Sequence, residues 1–241
     1  MKARDHYDNH LAFFYSWMVG DFQDKLQEQK KYFNERKIKP SSSNLAFDLG
    51  SGHGLQSVAL AEIGFEVKAV DFNRQLLDEL QIHQGSLNIE RIHTEILLFL
   101  KGTSQKAELI VCMGDTLTHL ESFNEVRELV AQVSKHLERN GKIIFSFRDF
   151  TTALKDEDRF IFVKGDDSRI LTCFLEYFSD YVMVHDILYE KKNGAWVPRI
   201  SAYPKLRLGE GFLNDLLRQN GIITQRSEII KGMVHIVGEM D

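Results

Sequence analysis

Cysteine is nearly absent from this chain: Cys112 and Cys173 are the only two in 241 residues. Both stand in apolar surroundings and neither has metal-like spacing, so a cysteine metal site is excluded and a reducing, intracellular setting fits. No apolar run approaches the ~20 residues of a membrane helix. The start, "MKARDHYDNH", lacks the apolar centre of a signal peptide, and the expected compartment is the cytoplasm. There is no long basic run, and the formal net charge is −5. A nucleic-acid partner is therefore not expected. The densest basic stretch, "KKYFNERKIK", reads as the solvated face and end of a helix. Internal repeats and low-complexity segments are also missing. His6 and His10 share a helical face without a third ligand, so no metal site is expected.

What is present suits one domain carrying an insertion. Hydrophobic residues make up 43% and charged residues 27%, enough for a sizeable core. Residues 5 to 38 have helical character, rich in aromatics, and "KPSSSN" breaks the pattern as a linker. Short apolar runs then alternate with helical ones. The strands are "LAFDLG", "EVKAVDFN", "IERIHTEI", "AELIVCMG" and "KIIFSFRDF". Helices lie between them, and Gly64 and the glycine of "ESFNEVRELVAQVSKHLERNG" read as helix stops. Such alternation predicts an α/β fold: a mostly parallel Rossmann-like sheet with helices on both faces and right-handed crossovers. From about residue 159 to 206 the period changes to two. Asn193-Gly194 signals a type I′ hairpin, and an antiparallel insertion of three or four strands is predicted. "GEGFLNDLLRQNG" returns to helix, and "IITQRSEII" and "MVHIVGEM" close the chain as two strands.

The stretch "LAFDLGSGHGLQSVAL" places Gly50, Gly52 and Gly54 between the first strand and its helix. Residues without side chains there let backbone N–H groups meet a ligand at the helix N-terminus. Asp48 precedes them. Asp71 ends the second strand, where a carboxylate can accept two hydrogen bonds from a ribose diol; its competing role is a helix N-cap. A nicotinamide fingerprint would need a small residue where Leu55 stands. An acid beside the turn repels a pyrophosphate and suits a cationic ligand.

With "AVDFN", "AELIVCMGDTLTHL" and "GKIIFSFRDF", this stretch resembles the class I S-adenosylmethionine-dependent methyltransferases. The resemblance covers about residues 40 to 150, extended by the terminal helix and strand pair. It implies a seven-stranded sheet whose last strand is antiparallel, and S-adenosylmethionine as cofactor. It implies that Asp48 and the three glycines face the amino-acid end of that cofactor, Asp71 the ribose and Phe72 the adenine. Glu95, with Ile96, would meet the adenine edge, and Met113 lies on the same side. Glu95 as a solvated strand end is the competing reading. The expected organisation is a helical cover at 1–40, a cofactor-binding domain at 41–150 and 207–241, and a substrate lid at 151–206.

Methyl transfer from a sulfonium is an in-line displacement that needs positioning and water exclusion, so no catalytic triad is expected and none is evident. Acceptor recognition should come from the ends of strands four and five. Asp115, Thr116 and His119 follow strand four, and Arg148 ends strand five, where its fork could grip a carboxylate. The competing readings are an Arg148 ion pair with Asp149 or a lid acid, and capping roles for Asp115 and His119. This part resembles the branch with glycine and sarcosine N-methyltransferases. There, the resemblance implies, the arginine binds a substrate carboxylate and the aromatic N-terminus, here Tyr7, Tyr15 and Trp17, covers the donor. Ser146 and Phe147 depart from the polar pair of glycine methylation. No Asn/Asp-Pro-Pro-aromatic stretch follows strand four, which lowers base and amide acceptors. The reading reached is methyl transfer to a small polar amine or carboxylate-bearing molecule, with a homo-oligomer open. The alternatives are a nicotinamide oxidoreductase and a non-catalytic S-adenosylmethionine-binding regulator.

Overall fold

The computed structural model describes residues 2–241. Its central sheet joins β1 (Leu45–Leu49), β2 (Glu66–Asp71), β3 (Ile89–His93), β4 (Ala107–Cys112), β5 (Leu137–Phe147), β10 (Ile222–Ile230) and β11 (Met233–Met240). The order is β10-β11-β5-β4-β1-β2-β3. β1 to β5 run parallel, and the last strand, β11, is antiparallel to both its neighbours; an antiparallel last strand is what the resemblance implies. The strand sequences are apolar on both parities because both faces are covered. Phe47, Ile110, Ile143 and Phe145 pack on the side of α6 (Ile96–Gly102), α7 (Phe123–His136) and α8 (Glu210–Gln219). Ala46, Leu109, Val111 and Ile144 pack on the side of α3 (Phe22–Glu35), α4 (Leu55–Glu62) and α5 (Arg74–Gln84). The chain reverses its winding direction between β1 and β4, which opens a crevice beyond their carboxyl ends.

One predicted boundary is corrected. α7 ends at His136, and β5 begins at Leu137, before Gly141 is reached. Gly141 marks an irregularity in the strand rather than a helix cap. A side chain there would press on the Glu138 backbone, with its carbonyl oxygen 2.8 Å from the added Cβ.

The period-two segment forms a separate antiparallel sheet of β6 (Phe160–Gly165), β7 (Arg169–Tyr177), β8 (Tyr181–Lys192) and β9 (Ala195–Leu206). Asn193 and Gly194 turn with φ of 52° and 82°, the pair of positive values that a type I′ hairpin needs. Alternate residues Val182, Val184, Asp186 and Leu188 are buried. Leu171 and Leu188 of this sheet pack with Leu11 and Phe14, between α1 (Ala3–Asn9) and α2 (Tyr15–Val19). The N-terminal segment and the added sheet thus share one apolar cluster over the crevice. No helix among the described residues is long and apolar enough to cross a membrane.

Candidate active site

The glycine turn follows β1 because all three glycines hold positive φ: 81° at Gly50, 53° at Gly52 and 94° at Gly54. Their individual reasons differ. A Cβ on Gly50 would lie 2.5 Å from Thr116 Cγ2, and one on Gly54 would be driven into Leu80 of α5. These two glycines let neighbouring elements approach. Gly52 has more room, its nearest neighbour being Tyr15 Oη at 3.6 Å from an added Cβ. The turn amides are also satisfied internally. Gly50 and Ser51 N–H donate to Val70 O, Gly52 to Asp71 Oδ2 and Gly54 to Ser51 O. The turn thus holds Asp71 in place, and of its glycines Gly50 and Gly52 line the cavity while Gly54 does not.

That cavity has a volume of about 520 Å3 and lies over the ends of β1, β2 and β4. Asp71 forms its floor. Its Oδ2 accepts Gly52 N–H and its Oδ1 accepts Asn73 N–H, each at 2.8 Å. Burial pushes the carboxyl up to about 6, against the pull of those two amides. The competing N-cap role falls to Asn73, whose side chain accepts Leu76 N–H at the start of α5. Phe72 lines the same wall, with Tyr7 edge-on at 5.6 Å. Glu95 and Ile96 line it from the start of α6, and Glu95 is paired with Arg4 at 3.0 Å. Met113 lines it from the end of β4, its sulfur 3.7 Å from Gln29 Nε2. Tyr15 closes the side above the glycine turn.

Besides Gly54, three expected residues fall outside the lining. Asp48 is buried and turned toward α4, where its Oδ2 accepts Ser57 Oγ at 2.5 Å. Burial pushes its carboxyl up to about 7. Trp17 faces the added sheet, donating its Nε1–H to Asp166 at 2.5 Å. Arg148, half-exposed just past β5, is held by Asp115: its backbone N–H donates to Asp115 Oδ1 at 2.8 Å and its guanidinium pairs with Oδ2. The ion-pair reading of Arg148 thus holds, with Asp115 as partner rather than Asp149 or a lid acid. Asp115 does not cap with its side chain.

Asp115, Thr116 and His119 do line the cavity, with Tyr7 in ring contact with both His119 and Phe72. Lys205 of β9, which sequence reasoning missed, donates to Asp115 Oδ2 at 2.7 Å and is itself buried. Its signal was parity: Ser201, Tyr203 and Lys205 alternate on the inward side of β9, and a lysine there needs an acid. Burial alone would raise the Asp115 carboxyl, but Lys205 and Arg148 hold it well below the usual range. Burial lowers the His119 imidazole to about 3, with Lys205 adding to the effect. Its Nδ1 has no hydrogen-bond partner among the described residues. His119 stacks on Tyr203 at 5.5 Å, and Tyr203 stacks on the buried His6 at 3.8 Å. His53, in the glycine turn, is buried among Tyr15, Phe22 and His83, not exposed as a loop residue.

Residues 46–141 match the family described as "Methyltransferase domain". Over that segment the chain is similar to the S-adenosylmethionine-dependent methyltransferases. The chain is 22% identical over 161 residues to a glycine/sarcosine N-methyltransferase of Aphanothece halophytica, covering 65% of this chain and 60% of that protein. It is also 22% identical to a glycine/sarcosine/dimethylglycine N-methyltransferase of Actinopolyspora halophila, over 64% of this chain and 28% of the relative. The chain thus spans less than two thirds of either relative. Its fold is that of an S-adenosylmethionine-dependent methyltransferase from Clostridium acetobutylicum, with TM-score 0.73, 14% identity, and 98% and 97% of the two chains covered. The CcbJ methyltransferase of Streptomyces caelestis gives TM-score 0.74 at 17% identity, covering 93% of this chain and 98% of that one.

Proposed function

We propose that this protein moves a methyl group from S-adenosylmethionine to a small polar acceptor carrying an amine or a carboxylate. The observation that carries the reading is that one cavity is lined by Asp71, the glycine turn, Asp115 and His119 together. The residues suit the cofactor. Asp71 already takes an amide hydrogen bond on each oxygen and faces the cavity with its remaining lone pairs, as a ribose diol requires. Phe72 and Tyr7 offer aromatic surface for the nucleoside. Glu95 is engaged by Arg4, so an adenine edge competes with that ion pair.

The cofactor, when bound, supplies an electrophilic methyl on a sulfonium. The chain's own residues orient the acceptor and exclude water. Tyr7 and Tyr15 roof the cavity from the N-terminal segment. His119, whose imidazole burial lowers to about 3, is neutral at pH 7 and lines the cavity as an uncharged ring. Asp115 shares its charge with Lys205 and Arg148, two cations to one anion, and this excess suits an acceptor carboxylate. A volume of about 520 Å3 for donor and reacting group together favours a small acceptor.

Titration calorimetry separates the alternatives. S-adenosylhomocysteine is expected to bind and NAD is not; the reverse result replaces the proposal with an oxidoreductase. A panel of small amines, amino acids and phenols with methyl-labelled donor then reads transfer. Donor binding with no product across the panel would support a regulator.

A further inference from the structure

Arg4, on α1, engages two walls of the cavity at once. The helix "ARDHYDN" puts Arg4 and Tyr7 three positions apart, on one face. Both reach Phe72. The guanidinium carbon of Arg4 lies over the Phe72 ring, 5.3 Å from its centroid, and Tyr7 meets the same ring edge-on. The guanidinium also pairs with Glu95 at 3.0 Å. All four residues line the one cavity. A single side chain thus takes up both groups expected to meet an adenine, Phe72 at its face and Glu95 at its edge.

Phe72 is held more firmly than Arg4. Its carbonyl oxygen accepts His93 Nε2–H at 2.9 Å. Glu95 is the N-cap residue of α6 but makes no side-chain capping bond among the described residues, so its carboxylate turns to Arg4 instead. The rest of α1 is anchored: His6 Nδ1 lies 2.8 Å from Ser201 Oγ, and Asp8 accepts Asn73 Nδ2–H at 2.7 Å. The Arg4 and Glu95 side chains are 46% and 45% exposed. An ion pair and a cation–π contact in reach of water are each weak. Arg4 can therefore swing away while α1 stays.

A guanidinium is like the edge of an adenine: flat, with N–H donors in its plane and a face that stacks on aromatic rings. The two cannot share the slot. A base lying between Phe72 and the guanidinium needs two contact distances, roughly 7 Å in all, and the guanidinium stands at 5.3 Å. We infer that Arg4 holds the place of the adenine, and that the donor binds by displacing it from Phe72 and Glu95. Arg4 then sets which bases enter, because the incoming ring must offer a face to Phe72 and an N–H donor to Glu95. The inference rests on the reading of this cavity as a site for S-adenosylmethionine.

Titration calorimetry of S-adenosylhomocysteine into the wild type and Arg4→Ala tests it. Arg4 is exposed and alanine is the better helix former, so the variant should fold as the wild type does. Arg4→Ala is expected to bind about three- to tenfold more tightly, since the contacts it lacks no longer have to be broken. The gap should narrow from about 50 to about 500 mM salt, which screens the exposed pair of the wild type. Adenosine, which carries the base without the amino-acid end, should gain by a similar factor. Arg74→Ala removes the same charge from an exposed pair on α5, outside the cavity lining, and should bind as the wild type does. Equal affinity of the wild type and Arg4→Ala at low salt overturns the inference and leaves the cofactor reading intact. Weaker binding by Arg4→Ala also overturns it, and makes Arg4 a clamp on the base. Binding by neither protein removes the cofactor reading itself, and the inference falls with it.

Discussion

Lys205, on the last strand of the added sheet, places its ammonium 2.7 Å from Asp115 Oδ2, at the end of the fourth strand of the main sheet. Both side chains are more than nine-tenths buried. The pair therefore ties the added sheet to the end of β4. Lys205→Met leaves Asp115 with Arg148 alone and should cost about 2–4 kcal/mol near neutral pH, since it strands part of a buried charge. The sign of the pH dependence follows from Asp115, whose carboxyl is depressed in the folded state. Its contribution is present above the unfolded value of about 4 and is lost as pH falls below it. Thermal unfolding of both proteins should show a gap that narrows in acid.

Arg148→Lys tests the acceptor end. Lysine keeps the charge but loses the planar fork. The expected result is an acceptor KM raised about tenfold or more, equivalent to one charge-assisted hydrogen bond. Donor affinity by calorimetry should be unchanged, because Arg148 is bonded to Asp115 and not to Asp71 or Phe72. Identical acceptor kinetics would remove the carboxylate grip and leave Arg148 as a structural partner of Asp115.

Asp71 gives donor binding a pH dependence of definite sign. Its carboxyl stands at about 6 in the free protein because it is buried. A ribose diol donates to the ionised form, so binding favours deprotonation. S-adenosylhomocysteine affinity should fall as pH drops through 6 and level off above it. Asp71→Asn should flatten this profile, and Asp71→Ala should weaken binding by about 1.5–3 kcal/mol. A wild-type affinity indifferent to pH between 5 and 8 would count against the ribose role.

The sheet was legible because its signals are local. Apolar runs, glycine stops and the Asn193-Gly194 turn each act within a few residues, and the period-two segment announced its own alternation. The helix end before Gly141 was misplaced because the same glycine serves a strand irregularity, decided by Glu138 and Leu137 pairing with Ala107. The site was legible where a residue's neighbours in sequence are its neighbours in space, as with Asp71 and Phe72. It was not legible where the partner comes from far along the chain. Lys205 meets Asp115 across 90 positions, and Tyr203 sits between His6 and His119. Only the folded β9 brings these together.

The glycine turn separates packing from binding within five residues. Gly54→Ala should be severely destabilising, by several kcal/mol, because the new Cβ enters Leu80, whose Cγ lies 3.0 Å away, at a φ of 94°. Leu80→Ala in the same chain should recover only part of the loss, since the backbone strain persists and a cavity replaces the leucine. Gly52→Ala is different. Its φ of 53° is the left-handed region, costing about 1 kcal/mol, and its surroundings are open. That variant should melt within a few degrees of the wild type, yet lose donor affinity, because the added methyl enters the cavity where Gly52 holds Asp71. Thermal melts and calorimetry on the two single variants decide it. If Gly52→Ala binds S-adenosylhomocysteine as tightly as the wild type, the donor does not lie against this turn.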